Sequence, residues 1–166
     1  LGTGLLAEGA EPEPEQIRRL TTIRIDCFGV DSLGASTSVS RPPVSAVDGV
    51  VPERGHVYVI PSGTDLVMEH GALRVLPRGL APGVHLPIDM LFRSLADELG
   101  PAAMGVVLSG TGSDGTAGLK AIRAAGGVTF VQAPESAKYD GMPRSALASA
   151  DFCLPPAEIA KRLVGI

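Results

Sequence analysis

The stretch MGVVLSGTGSDGTAGLKAIRAAGGVTFVQ, residues 104–132, decides the fold. Met104 to Leu108 is an unbroken apolar run, as a strand buried on both faces of a parallel sheet requires. It breaks into Gly110-Thr111-Gly112-Ser113-Asp114-Gly115, where glycines permit backbone turns that other residues resist. Thr116 to Ala125 then places Leu119 and Ile122 on one helical face, Gly126-Gly127 stops the helix, and Val128 to Val131 is a second strand. Strand, helix and strand in that order predict a β-α-β unit with a right-handed crossover.

Working downstream, a loop over 133–142 leads to a helix opening at Pro143, a short strand at Phe152-Cys153-Leu154 and a last helix after Pro155-Pro156. Cys153, in an apolar strand, reads as a packing residue. Working upstream, Ile88, Leu91, Phe92 and Leu95 fall at i, i+3, i+4 and i+7, one amphipathic helix entered through His85-Leu86-Pro87 and ended at Gly100-Pro101. Asp65–Met68 and Ala72–Leu76 flank a His70-Gly71 turn and read as a hairpin, with the β-rich run Gly55–Pro61, His56 included, as part of that unit. Ile23, Ile25 and Cys27 alternate like a short strand. The acidic AEGAEPEPEQ of residues 7–16, broken by Pro12 and Pro14, reads as a tail or linker. The expected fold class is α/β, a doubly wound, mostly parallel sheet with flanking helices plus a β-hairpin. The expected division is a divergent, partly disordered segment over 1–40 and one domain over 41–166.

Composition narrows the function. In 166 residues, 14 Lys and Arg stand against 18 Asp and Glu, a net charge of -4 with no basic stripe, so nucleic acid is not an expected partner. Hydrophobic residues make up 45%, yet no apolar run reaches the ~20 residues of a membrane span. Two distant cysteines and scattered histidines cannot make a four-ligand zinc site, and they suit a reducing, cytoplasmic setting. The chain starts at Leu1 without a secretory signal and reads as a fragment.

Ligands in open α/β sheets sit beyond the carboxyl ends of the strands, which makes Gly110–Gly115 the first place to look. Gly110-x-Gly112-x-x-Gly115 matches a dinucleotide fingerprint as a string. Two features oppose that reading. The second strand ends in Gln132-Ala133 rather than an acid, and Asp114 sits where a pyrophosphate would rest, with like charges near 4 Å repelling by ~4 kcal/mol at an effective dielectric of 20. The alternatives are that Asp114 orients a histidine, as the acid of a Ser-His-Asp triad does, or that it caps the helix starting at Thr116, worth ~1 kcal/mol. Arg144, a cation in the first turn of its helix, calls for a compensating acid such as Glu135.

Taken together, GVVLSGTGSDGTAGLKAIRAAGG, QAPESAKYDGMPRSALA and LPPAEIAKRL, preceded by GHVYVIPSGTDLV and HLPIDMLFRSLADELG, resemble the catalytic domain of chemotaxis-receptor protein-glutamate methylesterases of the CheB type. The form is that found in methylesterase–methyltransferase fusion proteins, and the resemblance covers about Pro43 to Ile166. It implies a hydrolase, with no metal and no cofactor, that acts on glutamyl methyl esters of a methylated chemoreceptor and releases methanol. It also implies a receiver domain or receptor methyltransferase domain as partner. By resemblance Asp114 is the triad acid, and Thr111 stands near the oxyanion site where relatives often carry Met. Gly34-Ala35-Ser36-Thr37 copies the start of the nucleophile turn and makes Ser36 the candidate nucleophile, but Ser38-Val39 replace its two glycines. No Gln-His segment follows, and none of His56, His70 or His85 is placed by sequence as the base, so the histidine is unknown. The first strands are thus truncated or divergent and the triad is incomplete. The alternative is a non-catalytic remnant or regulatory module of a fusion protein. An Asp114 carboxylate bound only by local amides, with no imidazole or hydroxyl near, would exclude turnover by this chain alone.

Overall fold

The structure is a computed structural model that describes residues 22–24, 43–79 and 85–164. Its centre is the predicted β-α-β unit. Strand β6 (Met104–Val107) pairs in parallel with β7 (Val128–Gln132), and β7 pairs in parallel with β8 (Phe152–Leu154). The connecting helix is Thr116–Ala124.

Both faces of this sheet are covered, which is why its central strands read as continuous apolar runs. Val107 and Val131 face one side, against Leu91, Leu95, Leu119 and Ile122. Met104 and Phe130 face the other, against Ile159 and Leu163 of the last helix, Pro156–Val164, whose Arg162 lies over the Phe152 ring. Each fully buried Leu or Ile here contributes about 2 kcal/mol of transfer free energy. Gly105 is an alternation position filled by no side chain. A Cβ there would lie 2.6 Å from Leu119 Cδ2 and 2.8 Å from Ile122 Cδ1, so the crossover helix rests directly on the strand backbone.

Upstream, β3 (Val57–Val59) runs parallel between β1 (Thr22–Arg24) and β2 (Val44–Ser45). The Gly55–Pro61 run is therefore part of a second parallel sheet, not of the hairpin, and His56 leads into β3. The hairpin is β4 (Thr64–Glu69) with β5 (Ala72–Pro77), antiparallel in the predicted register about His70 and Gly71. Both turn residues have positive φ, 51° and 77°, the combination that a two-residue turn matching strand twist demands. Helix α1 (Pro87–Leu99) carries the hairpin. Ser94 Oγ accepts the Met68 N–H at 2.8 Å and Glu98 accepts the Gly71 N–H at 3.1 Å, while Leu66 and Leu73 are sealed against Leu91 and Leu95.

With the crossover helix named α2, the remaining helices are α3 (Gly141–Ala146) and α4, the last one. Two local expectations are corrected. Helix α3 opens at Gly141, so Pro143 lies within the first turn, where its missing N–H costs nothing. Cys153 is exposed, because in β8 the flanking Phe152 and Leu154 take the packed side. No helix among the described residues is long and apolar enough to cross a membrane.

Candidate active site

Asp114 sits at the carboxyl end of β6, in the turn that enters α2, and is 9% exposed. Its carboxylate is held by three backbone donors. The Ile88 N–H donates to Oδ2 at 3.1 Å, and the N–H groups of Asp89 and Gly115 donate to Oδ1, each at 2.9 Å. Ile88 and Asp89 are the second and third residues of α1, whose N-cap residue Leu86 has no side-chain oxygen to offer. Asp114 therefore supplies from another element the cap that Leu86 cannot. The helix it caps is α1, about 25 residues earlier, rather than the one that begins at Thr116.

The capping is reciprocal. Asp89, itself buried, accepts the Gly118 N–H at 2.7 Å from the first turn of α2. The two helices approach closely because Gly118 has no side chain, since a Cβ there would lie 2.5 Å from Phe92 Cβ. Burial raises the Asp114 pKa above its ordinary value, and the nearby Asp89 charge adds to that, while the amides of Asp89, Ile88 and Gly115 oppose it.

The glycine-rich loop is tied down from the far side. Ser109 N–H donates to Gln132 Oε1 at 2.8 Å, and Gly110 N–H donates to the Tyr139 carbonyl at 2.9 Å. Met142 N–H donates to the Gly110 carbonyl, and Ser145 Oγ donates to that of Gly112. A Cβ at Gly110 would lie 2.3 Å from Met142 Sδ, so a larger residue there requires the Met142 side chain to move. These contacts bring the 139–145 segment, with half-exposed Tyr139, against the candidate oxyanion loop around Thr111. The acid in contact with Arg144 is Asp140, at 2.6 Å, while the Glu135 charge acts on it only through space. The hydrogen bond to Arg144 holds the Asp140 carboxyl below the usual range.

The dinucleotide reading fails on the same geometry. The N–H groups of Gly115, Thr116 and Gly118, which would cradle a pyrophosphate, are already given to Asp114, the Ser113 carbonyl and Asp89. Gln132, in place of a ribose-binding acid, is spent on Ser109 and the Ser136 carbonyl.

Of the other candidate residues, Ser36 lies outside the described residues, as does most of the 1–40 segment. His85 does meet a carboxylate, but it is that of Asp65. Its Nδ1 lies 2.7 Å from an Arg78 guanidinium nitrogen and its Nε2 2.5 Å from Asp65 Oδ1. A guanidinium only donates, so Nδ1 accepts and the Nε2–H points at Asp65, which leaves neither nitrogen for a base's work. Among the described residues Asp114 bonds to no imidazole and no hydroxyl. Sequence reading missed Asp65 as a histidine partner and Asp89 as a buried acid. A signal for Asp89 was present: it shares its helical face with Phe92 and Ala96, at i+3 and i+7, and both are buried.

The model of one family, described as CheB methylesterase, matches residues 33–163. The chain belongs to the CheB methylesterase family. A protein-glutamate methylesterase/protein-glutamine glutaminase of Bordetella parapertussis is 38% identical over 139 residues, 80% of this chain and 39% of that protein. One from Geobacter sulfurreducens is 39% identical over 108 residues, 63% of this chain and 29% of that protein. An uncharacterized 104.1 kDa protein of Rhodobacter capsulatus is 45% identical over 108 residues, 65% of this chain and 11% of that protein. The chain thus spans between about a tenth and two fifths of the length of these curated relatives. The crystal structure of the Thermotoga maritima CheB methylesterase catalytic domain superposes with a TM-score of 0.66 at 27% identity, covering 73% of this chain and 67% of that one. The α/β architecture of parallel strands and flanking helices is that of the family.

Proposed function

We propose that this chain is a protein-glutamate methylesterase domain of bacterial chemosensory signalling, hydrolysing receptor glutamyl methyl esters to glutamate and methanol, with Asp114 as the acid of its triad. The reading is carried by the match of residues 33–163 to the CheB methylesterase family and by an Asp114 carboxylate fixed for the role; with no imidazole or hydroxyl bonded to it among the described residues, turnover needs the histidine and Ser36 to come from outside them. A carboxylate offers about four lone-pair directions, and three are filled by N–H groups that fix its plane. Oδ2 accepts a single bond and keeps capacity for one more, which is what holding an imidazole N–H requires.

In this mechanism the Ser36 hydroxyl attacks the ester carbonyl, an imidazole takes its proton and returns it to the departing methanol, and water then releases the glutamate. Asp114 orients the imidazole and offsets its positive charge; the oxyanion would be received by the Thr111 N–H, that of Gly110 being given to the Tyr139 carbonyl. The substrate is a methylated chemoreceptor, the setting is the cytoplasm, and a receiver or receptor methyltransferase domain is the expected partner. No metal or cofactor takes part.

A second reading, a non-catalytic regulatory or interaction module of a fusion protein, is favoured by one fact: the described partners of Asp114 are amides alone. Methanol release from methylated receptor separates the two. The esterase reading expects release that falls about 10³-fold or more in Asp114→Asn and in Ser36→Ala. No release from the wild-type chain, or release indifferent to both substitutions, would overturn it in favour of the module.

A further inference from the structure

The capping of α1 and α2 by each other's acids closes a ring. From Asp114 it passes to the Asp89 N–H, along the Asp89 side chain to the Gly118 N–H, and back through the first turn of α2 to Asp114. Each link is a carboxylate oxygen receiving a backbone N–H at 2.9 Å or less, the short, charge-assisted kind. Removing the Asp89 side chain opens the ring at the bond to Gly118 and leaves α1, which supplies two of the three Asp114 donors, held to this end of α2 by Asp114 and by packing alone.

From this geometry we infer that Asp89 is the positioning residue for Asp114: its side chain fixes the α1 amides against α2 and so sets where the Asp114 carboxylate points. Asp89 itself touches no reacting atom; it acts only through Asp114. The same residue brings a negative group beside Asp114, the charged side chain acting on that carboxyl, whose other described neighbours are the amides of Ile88, Asp89 and Gly115. The role rests on Asp114 as triad acid, yet it is measurable without turnover.

The experiment separates shape from charge in the full chain. Asp89→Asn keeps an oxygen for the Gly118 N–H and removes the charge; Asp89→Ala removes both. The Asp114 carboxyl carbon is followed by NMR against pH, and Gly118 by amide hydrogen exchange. In Asp89→Asn the Asp114 titration is expected to move to lower pH, with Gly118 protection kept. In Asp89→Ala, Gly118 exchange is expected to quicken by about tenfold or more, the size of one lost buried hydrogen bond. Where the wild-type chain releases methanol, kcat is expected to fall more in Asp89→Ala than in Asp89→Asn, with KM unchanged. An Asp114 titration that stays or rises in Asp89→Asn, or Gly118 protection unchanged in Asp89→Ala, overturns the proposal. A wild-type chain that releases no methanol overturns the methylesterase reading instead, and the titration and exchange data still decide the role of Asp89.

Discussion

Two carboxylates border the entry to α1, and they are used in opposite ways. Among the described residues Asp114 receives three backbone amides and no side chain, whereas Asp65 receives an imidazole whose other nitrogen is held by Arg78. Motif reading gives the histidine-orienting role to Asp114, yet among the described residues the acid in contact with a histidine is Asp65. The partners, not burial, explain the division, since Asp65 is 5% exposed and Asp114 9%. Backbone amides at a helix start are fixed donors that must be satisfied inside, while the buried Asp65 meets an imidazole that reaches the surface, where His85 is a quarter exposed and water can take the place of its partner. A buried acid at a helix start is thus first a structural cap, and any catalytic use is added to that duty.

Removing the two acids should break the comparison open most widely. Asp114→Ala orphans three buried N–H groups, and about 3 kcal/mol of unfolding free energy should be lost; Asp65→Ala, which orphans only the partly exposed His85 N–H, should lose about 1 kcal/mol. Urea denaturation of both variants measures this, and equal losses would erase the distinction. Next in size is Gly118→Ala, where a methyl group 2.5 Å from Phe92 Cβ forces α1 and α2 apart, for about 2 kcal/mol. A double-mutant cycle sharpens the partner assignment: Asp65→Asn with His85→Phe should couple by about 1 kcal/mol, and Asp114→Asn with His85→Phe by nearly nothing.

A smaller effect is carried by pH. With the folded pKa of Asp114 raised above 3.8 chiefly by burial, the native state holds a proton that the unfolded chain has already released. The resulting stability is complete below the unfolded value and is lost as pH climbs through the folded one. Asp114→Asn should flatten that descent in a stability–pH curve, and a variant curve that falls as steeply as the wild type would assign the descent to another group. Smallest of all, Asp140→Ala at the exposed pair with Arg144 should leave the melting temperature where it is.

What the sequence disclosed and what it hid follow from the range of the interactions. The β6-α2-β7 unit was legible because a strand covered on both faces must be apolar throughout, and the hairpin because His70-Gly71 interrupts two alternating runs. Strand β8 misled about Cys153 because three residues are too few for alternation to show which side packs. At the site, the motif marks Asp114, but the helix it caps lies about 25 residues upstream, and the reciprocal bond from Gly118 to Asp89 spans 29. Nothing local in sequence encodes such a pairing. The Asp65–His85 contact, across 20 residues, was hidden for the same reason.

The exchange of acids between α1 and α2 also limits how this fold can be dissected. A fragment that ends after α1 would lack Asp114, and one that begins at β6 would lack Asp89, so each would expose the first turn that its absent neighbour had finished. Engineers who seek the smallest transplantable piece should therefore keep the span from residue 85 to residue 124 intact, and place any graft or circular-permutation break outside it.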